Sequence, residues 1–193
     1  FKAALFMVVG IIDHATGTRD LTKLSGLAAR MPALAVVAGL AAASMAGLPP
    51  LFGFVAKESA LDALVHVATT GDGTDILPAP ATLLVVVIVI GSMLTFAYAL
   101  RFWWGAFGTR RRAEPIAIKH APSAGFLAGP TVLGLACLAL GFAGHAVTEM
   151  LAPYVDGIRV GETPHELALW HGVTTPLLLS LAAVAGGLVL FWQ

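Results

Sequence analysis

Long apolar runs separated by short polar connections form the main pattern along the chain. A helix needs roughly 20 apolar residues to cross the hydrocarbon core of a bilayer, and the last three runs are long enough to do so. The first run is shorter, and we expect it to be a transmembrane helix whose beginning precedes this sequence. We predict helices over Phe1–Ala15, Pro32–Gly47, Leu51–Ala68, Pro80–Phe107, Phe126–Ala152 and Pro164–Trp192.

The second and third runs are short, and the triplet Leu48, Pro49 and Pro50 separates them. Proline has no backbone N–H to donate and restricts the residue before it, so a continuous helix cannot pass through this triplet. Irregular backbone at membrane depth is tolerated only where protein surrounds it or where it lines a wet cavity. We therefore predict a helix break here, within either one interrupted crossing or two short ones.

The distribution of basic residues favours the single crossing. Lys and Arg concentrate in connections 16–31 and 108–121 and are absent from 69–79. Connections rich in Lys and Arg usually face the cytoplasm. The helix Pro80–Phe107 supplies one crossing between the two basic connections. An even total is needed for both connections to face the same side, so residues 32–68 must cross the membrane an odd number of times. We interpret residues 32–68 as one crossing, broken at the prolines.

Composition points to lipid as the solvent. The chain is 58% hydrophobic and 11% charged, whereas about a quarter of the residues of a soluble domain are charged. Its zero formal net charge gives no indication of nucleic-acid binding. The single cysteine, Cys137, excludes an internal disulfide and is expected to be a small packing residue. We predict an all-α, polytopic transmembrane helix bundle with one proline-broken helix. No nucleotide, zinc or other cofactor motif is found, so no cofactor or metal is expected.

Ionisable residues inside the first run are candidates for ion or proton transfer, because placing such groups in lipid costs at least a few kcal/mol. Lys2 and Asp13 are eleven residues apart, which is about three helical turns and roughly 16 Å on nearly the same face. His14 follows Asp13 and can change charge near neutral pH. The alternatives are that Asp13 and His14 mark a hydrated helix end and that Lys2 extends to the interface.

A second group of ionisable residues follows the proline break. Lys57 and Glu58 come within about two turns of Pro50, and Asp62 and His66 continue from Glu58 on one helix face. Half-helix ends carry partial charges, and broken helices mark ion sites in transporters. The pattern therefore indicates a proton relay. The alternatives are a local ion pair between Lys57 and Glu58, and hydration of Asp62 and His66 at the far interface.

Two segments carry a family resemblance. "FKAALFMVVGIIDHATGTRD" and "AGLPPLFGFVAKE" resemble the antiporter-like proteins of Mrp-type cation/proton antiporters and of respiratory complex I, most of all the large A-type component of the Mrp antiporters. Where this chain has Ala56 and Glu58, the complex I relatives usually read "SKD". The resemblance is strong over residues 1–107 and rests on hydropathy beyond them. The family usually has His-x-x-Phe-Lys at the first lysine, and this sequence begins at that Phe.

The resemblance implies a fold with two inverted repeats and discontinuous helices. In that fold, residues 1–107 would be the later part of the second repeat, 108–125 a cytoplasmic loop and 126–193 additional transmembrane helices. We expect the chain to be a piece of a larger protein, because the first repeat is not in this sequence.

The resemblance also implies a function, that of a membrane component of a Na⁺/H⁺ antiporter in the bacterial plasma membrane. Lys2 and Lys57 would be pathway lysines, with Asp13, His14 and Glu58 adjusting their protonation. The other subunits of the antiporter complex, the bilayer, monovalent cations and protons would be its partners, and it would be a secondary transporter, not an enzyme. The alternatives are a proton-pumping component of an NADH–quinone oxidoreductase and a structural membrane protein without a pathway.

Overall fold

The chain folds into α-helices. The computed structural model describes residues 1–70, 78–109, 116–158, 167–170 and 172–193. Within these residues there are eight helices and no strand, which confirms the all-α prediction. The helices are α1 (Lys2–Thr16), α2 (Leu27–Arg30), α3 (Pro32–Ala46), α4 (Phe52–Thr70), α5 (Pro78–Phe107), α6 (Ala124–Phe142), α7 (Gly144–Ile158) and α8 (Thr175–Trp192).

Helices α1, α3, α4 and α5 follow the apolar runs to within a few residues. Among the described helices, three are long and apolar enough to cross a membrane: the α5 segment Ala79–Phe107, α6 and α8. Helix α3 is apolar but shorter, at 15 residues. The long central helix α5 packs against α3, α4 and α8, while α6 packs against α1, α3 and α4.

The largest apolar core lies where α1, α2 and α3 meet the end of α5. Its fully buried side chains include Val8, Leu27, Leu34 and Phe107. The indole N–H of Trp103 on α5 also donates a hydrogen bond of 3.0 Å to the carbonyl of Ala35 on α3. These contacts fix α3 against α5, and they therefore fix the position at which α3 ends.

The two basic connections are hydrogen-bonded to each other. The backbone N–H of Gly26 donates to the carbonyl of Gly108 at 2.9 Å, and the Arg30 guanidinium donates to the carbonyl of Ile116 at 2.9 Å. The two basic connections therefore lie at the same end of the helix bundle, as the interpretation of residues 32–68 as one interrupted crossing requires.

Two predicted helix boundaries are wrong. The run Phe126–Ala152 is not one helix, because α6 ends at Phe142 and α7 begins at Gly144. The backbone N–H of Ala143 closes the last turn of α6 on Ala139, and Gly144 then lies directly against the carbonyl of Leu167. A side chain at position 144 would collide with that carbonyl, so the turn requires glycine.

The last run, Pro164–Trp192, begins as a helix later than predicted. Helix α8 starts at Thr175, and the Thr174 hydroxyl accepts a hydrogen bond of 3.4 Å from the Leu177 N–H. Thr174 is therefore the N-cap, and Pro176 occupies the first turn, where its missing N–H has no helical partner to lose. The preceding residues 167–170 are not helical.

Candidate functional site: the helix break and its surroundings

The chain leaves the helix between Ala46 and Phe52, at the predicted triplet of Leu48, Pro49 and Pro50. Gly47 has the left-handed conformation, with φ 73° and ψ 47°. Its N–H donates to the carbonyl of Ser44 at 3.1 Å, and the Leu48 N–H donates to that of Ala43 at 3.0 Å. This pair of hydrogen bonds is the Schellman motif, which satisfies two carbonyls at the end of α3. The peptide bond between Pro49 and Pro50 is cis.

Glycines let other backbone segments approach the break. Gly53, at the start of α4, lies directly against the carbonyl of Ser44 on α3, and Gly141 on α6 lies directly against the carbonyl of Pro50. A Cβ at either position would collide with a backbone oxygen. The break is therefore held by contacts between its own two halves and by α6.

Lys57 points back toward the end of α3. Its side chain is half-buried, and Nζ donates a hydrogen bond of 3.4 Å to the carbonyl of Ala46, the last residue of α3. The side chain also lies beside Gly47. The last carbonyls of a helix have no partner within the helix and carry its partial negative charge, so they attract an ammonium group. The break thus provides a specific place for a cationic side chain.

Glu58 is buried and points elsewhere. Its residue exposure is 8%, and its Oε1 atom is buried without a hydrogen-bond partner among the described residues. No ion pair joins it to Lys57 in this part of the chain. Lys57 and Glu58 therefore do not form the local ion pair that the sequence left open, and their side chains lie in different surroundings.

Glu58 lines a cavity of about 20 Å³. The other walls come from Phe54 on α4, from Thr174 and Leu177 at the start of α8, and from residues 168–170 and 172. The sequence did not reveal this cavity, because the run before α8 was interpreted as helix. The dipeptide Thr174–Thr175 before Pro176 was the available signal, since a hydroxyl N-cap followed by an early proline is typical of a helix start.

The ionisable residues of α1 lie in a different environment. Lys2 is the first residue of α1 and is exposed. Asp13 accepts from the Arg19 guanidinium at 2.8–2.9 Å. His14 is stacked on His120, with ring centroids 5.5 Å apart. The structure thus places Asp13 and His14 at the end of α1 beside the basic connections and does not bring them to the helix break.

The connection after α1 contains one perturbed carboxyl group. Asp20 accepts hydrogen bonds from the Thr22 hydroxyl at 2.7 Å and from the Thr22 N–H at 2.9 Å. These hydrogen bonds, with a smaller contribution from the nearby Lys23, lower the pKa of Asp20. The group is exposed and belongs to the connection, so the shift reflects the local turn geometry.

Comparison with known proteins links this arrangement to one family. Residues 1–71 match the family described as NADH:quinone oxidoreductase/Mrp antiporter, TM. The A-type component of a Na⁺/H⁺ antiporter from Alkalihalophilus pseudofirmus is 37% identical over 199 residues, which cover 99% of this chain and 24% of that protein. A probable K⁺/H⁺ antiporter component of the A/B type from Rhizobium meliloti is 35% identical, over 100% of this chain and 19% of that protein.

These matches confirm the resemblance to the antiporter-like family. A solved structure of the Mrp complex from Dietzia sp. DQ12-45-1b gives a TM-score of 0.78 at 32% identity and covers 99% of this chain and 20% of that chain. The similarity therefore extends beyond residue 107, where the sequence offered only hydropathy. The chain spans about a quarter of the length of the antiporter components that it matches, or less. This similarity, together with three described helices that are long and apolar enough to cross a membrane, supports a multi-pass membrane protein.

Proposed function

We propose that this chain is part of a membrane protein that exchanges a monovalent cation, Na⁺ first and K⁺ second, for protons. The relatives named above are antiporter components for these two cations, and they match the chain along almost its whole length. On this proposal the protein is a secondary transporter and catalyses no covalent reaction. A separate cation site within these residues is not part of the proposal.

One observation carries the proposal: the Lys57 ammonium lies at the interrupted end of α3 and donates to Ala46. In the proposed mechanism, Lys57 releases its proton to water at the break and is then reprotonated, while the carbonyls at the end of α3 draw it back to the same place. Lys2, Asp13, His14 and Glu58 are proposed as further members of the proton pathway.

The surroundings of the protein follow from the same similarity. We propose that the chain works in the bacterial plasma membrane with the other subunits of an antiporter complex, since the structural relative is an Mrp complex. Residues 1–107 would belong to the antiporter-like repeat and 108–125 to a cytoplasmic loop, with further transmembrane helices in 126–193. The bilayer, protons and monovalent cations are the remaining proposed partners.

A redox-driven proton pump is the second candidate, because the matched family description includes NADH:quinone oxidoreductase. Such a pump would use the same lysine but would take its driving force from electron transfer in partner subunits. The third candidate, a purely structural membrane protein, predicts that Lys57 influences assembly alone.

Inside-out vesicles that contain the assembled parent complex distinguish these functions. A pH gradient is imposed, Na⁺ or K⁺ is added, and the collapse of the gradient is followed for wild type, Lys57→Ala and the control Lys23→Ala at matched assembly. Lys23 is an exposed lysine paired with Asp20 in a connection. Loss of a proton-transferring group typically costs about a hundredfold or more in rate, so we expect Lys57→Ala to abolish cation-driven collapse and Lys23→Ala to retain it.

Two outcomes contradict the proposal. If added cation leaves the gradient unchanged while NADH builds it, the chain belongs to a redox pump. If Lys57→Ala exchanges ions at the wild-type rate per assembled complex, Lys57 is not in the pathway.

A further inference from the structure

Helix α7 begins at the end of the bundle that lies opposite the basic connections. Helix α6 starts at Ala124, shortly after Ile116, whose carbonyl accepts the hydrogen bond from Arg30. The 19 residues of α6 extend about 28 Å, close to the roughly 30 Å of a hydrocarbon core. Since α7 follows directly at Gly144, its first turn lies at the far boundary of the membrane.

Helix α7 is attached to the fold at its start. The Thr148 hydroxyl accepts a hydrogen bond of 2.9 Å from the Leu167 N–H, and the side chain of Val147 is buried. Among the described helices, the main contact of α7 is with α6. The 15 residues of α7 extend about 22 Å, which is too short to cross a hydrocarbon core of about 30 Å. The helix therefore does not make a further crossing.

The two sides of α7 differ in their chemistry. His145 and Glu149 are four residues apart, lie 3.4 Å from each other and are both exposed. Met150 and Tyr154 are also four residues apart and therefore share a side of the helix. Tyr154 follows His145 by nine residues, about two and a half turns, so the two pairs project in nearly opposite directions. A helix with one charged and one apolar side is typical of the membrane interface.

The apolar side of α7 is not covered by the part of the chain that the structure describes. Met150 is 68% exposed and Tyr154 is 74% exposed, and Leu151 beside them is exposed as well. The exposed apolar surface of α6 ends with Phe142, two residues before α7 begins. Because α6 is long and apolar enough to cross a membrane, the hydrocarbon that surrounds its end also reaches the apolar side of α7.

The exposed residues at this end of the bundle indicate which part of the bilayer they contact. Tyr154 on α7 is joined by Trp170, which is also exposed and follows Leu167 by three residues. Tyr and Trp are enriched at the level of the lipid headgroups. Helix α7 contains no Lys or Arg, which are the residues that attract anionic lipids to interfacial helices. This surface therefore fits the boundary between headgroups and acyl chains, whatever the headgroup charge.

We propose that α7 is an interfacial helix that lies along the membrane surface opposite the basic connections. Met150, Leu151 and Tyr154 contact the acyl chains, while His145 and Glu149 face water. Because Thr148 on α7 binds the backbone just before α8, the helix also anchors the entry of α8 at the membrane surface. The inference rests on the membrane location in the proposed function and does not depend on ion exchange.

Spin labels on the intact parent complex in lipid nanodiscs test this position. Met150→Cys, Tyr154→Cys and the matched control Glu149→Cys are each labelled with a nitroxide, in a complex whose other reactive cysteines have been replaced. All three side chains are exposed, so the substitutions leave the core intact. Collisions of the label with oxygen, which concentrates in hydrocarbon, are compared with collisions with a water-soluble nickel chelate.

We expect oxygen collisions to dominate at positions 150 and 154 and nickel collisions to dominate at position 149. Since α7 has no basic residue, the same pattern is expected in phosphatidylcholine nanodiscs with and without anionic phosphatidylglycerol. The measurement reports the position of the helix and does not require transport. A complex that fails to exchange cations in the vesicle assay can still show the expected pattern, so failure of the proposed function is distinguished from failure of this inference.

Three results would overturn the inference. Dominant nickel collisions at all three positions would place α7 in water. Protection of positions 150 and 154 from both oxygen and nickel would show that another protein subunit covers the apolar side. Oxygen contact that appears only with phosphatidylglycerol would mean that headgroup charge, and not the apolar side, determines the position of the helix.

Discussion

Replacing Gly141 by alanine tests whether the helix break depends on its contact with α6. The added Cβ would lie directly against the carbonyl oxygen of Pro50 and 3.0 Å from its carbonyl carbon, well inside the optimal separation of two carbon atoms, about 3.5–4.0 Å. These are backbone atoms and cannot rotate away. Overpacking of this kind typically costs about 1–3 kcal/mol, and each 1.4 kcal/mol changes an equilibrium about tenfold.

Gly134→Ala is the matched control for this prediction, since Gly134 lies on the same helix. A Cβ there would meet Val37 and Leu40 at 3.8–3.9 Å, which is ordinary contact. Both substitutions gain the same helix propensity, up to about 1 kcal/mol, so the difference between them isolates the collision with the break.

The assay has two readouts on the parent complex: its thermal unfolding midpoint, and cation-driven collapse of a pH gradient at matched assembly. We expect Gly141→Ala to unfold at lower temperature and transport more slowly than Gly134→Ala, because moving Pro50 also moves the end of α3 where Lys57 binds. If the two variants behave alike in both readouts, the contact with α6 does not hold the break and the reasoning is refuted.

Three further predictions concern the remaining contacts. Asp13→Asn and Arg19→Ala both break the same exposed ion pair, at a cost in stability of at most about 1 kcal/mol. We expect only Asp13→Asn to slow transport in vesicles. Equal transport rates for the two variants would show that Asp13 is merely a hydrated residue at the helix end. Trp103→Phe removes one interhelical hydrogen bond and should destabilise the complex by about 0.5–1.5 kcal/mol, seen as a lower unfolding midpoint; an unchanged midpoint would contradict this. Since the folded pKa of Asp20 is lowered, its stabilisation of the turn is present above its unfolded pKa of about 3.9 and is lost as pH falls through the lowered value. Amide exchange should show this loss, and Thr22→Val should move it to higher pH; a pH-independent protection would argue against it.

The parts of the fold that follow from local chemistry could be predicted. Hydropathy located α3, α4 and α5 to within a few residues, and the prolines located the break. The basic connections predicted that residues 16–31 and 108–121 lie at the same end of the bundle, because charge placement across a membrane is itself a physical constraint, and the two connections are hydrogen-bonded to each other. The separation of α6 from α7 could not be predicted, since it depends on the approach of the Leu167 carbonyl to Gly144 across the fold.

The candidate site was only partly predictable for the same reason. Sequence spacing identified Lys57 and Glu58 as unusual, but their adjacency in sequence left open whether they pair. The structure separates them, since Lys57 reaches the carbonyl of Ala46 and Glu58 lines the cavity beside residues 168–170, 172 and 174. The stacking of His14 on His120 likewise joins positions that are distant in the sequence, which no local pattern could reveal.

The length of α3 has a consequence for the electrical energetics of exchange. Its 15 residues extend about 22 Å, roughly three quarters of a hydrocarbon core of about 30 Å. A charge that moves from the basic side to Lys57 therefore traverses most of the membrane potential, worth about 1.7 kcal/mol at 100 mV by proportion. Protonation of Lys57 from that side is thus expected to depend more strongly on voltage than its exchange with the opposite side, which crosses only the remaining part of the potential. Transport rates measured under imposed potassium diffusion potentials would reveal which of these two steps the membrane potential controls.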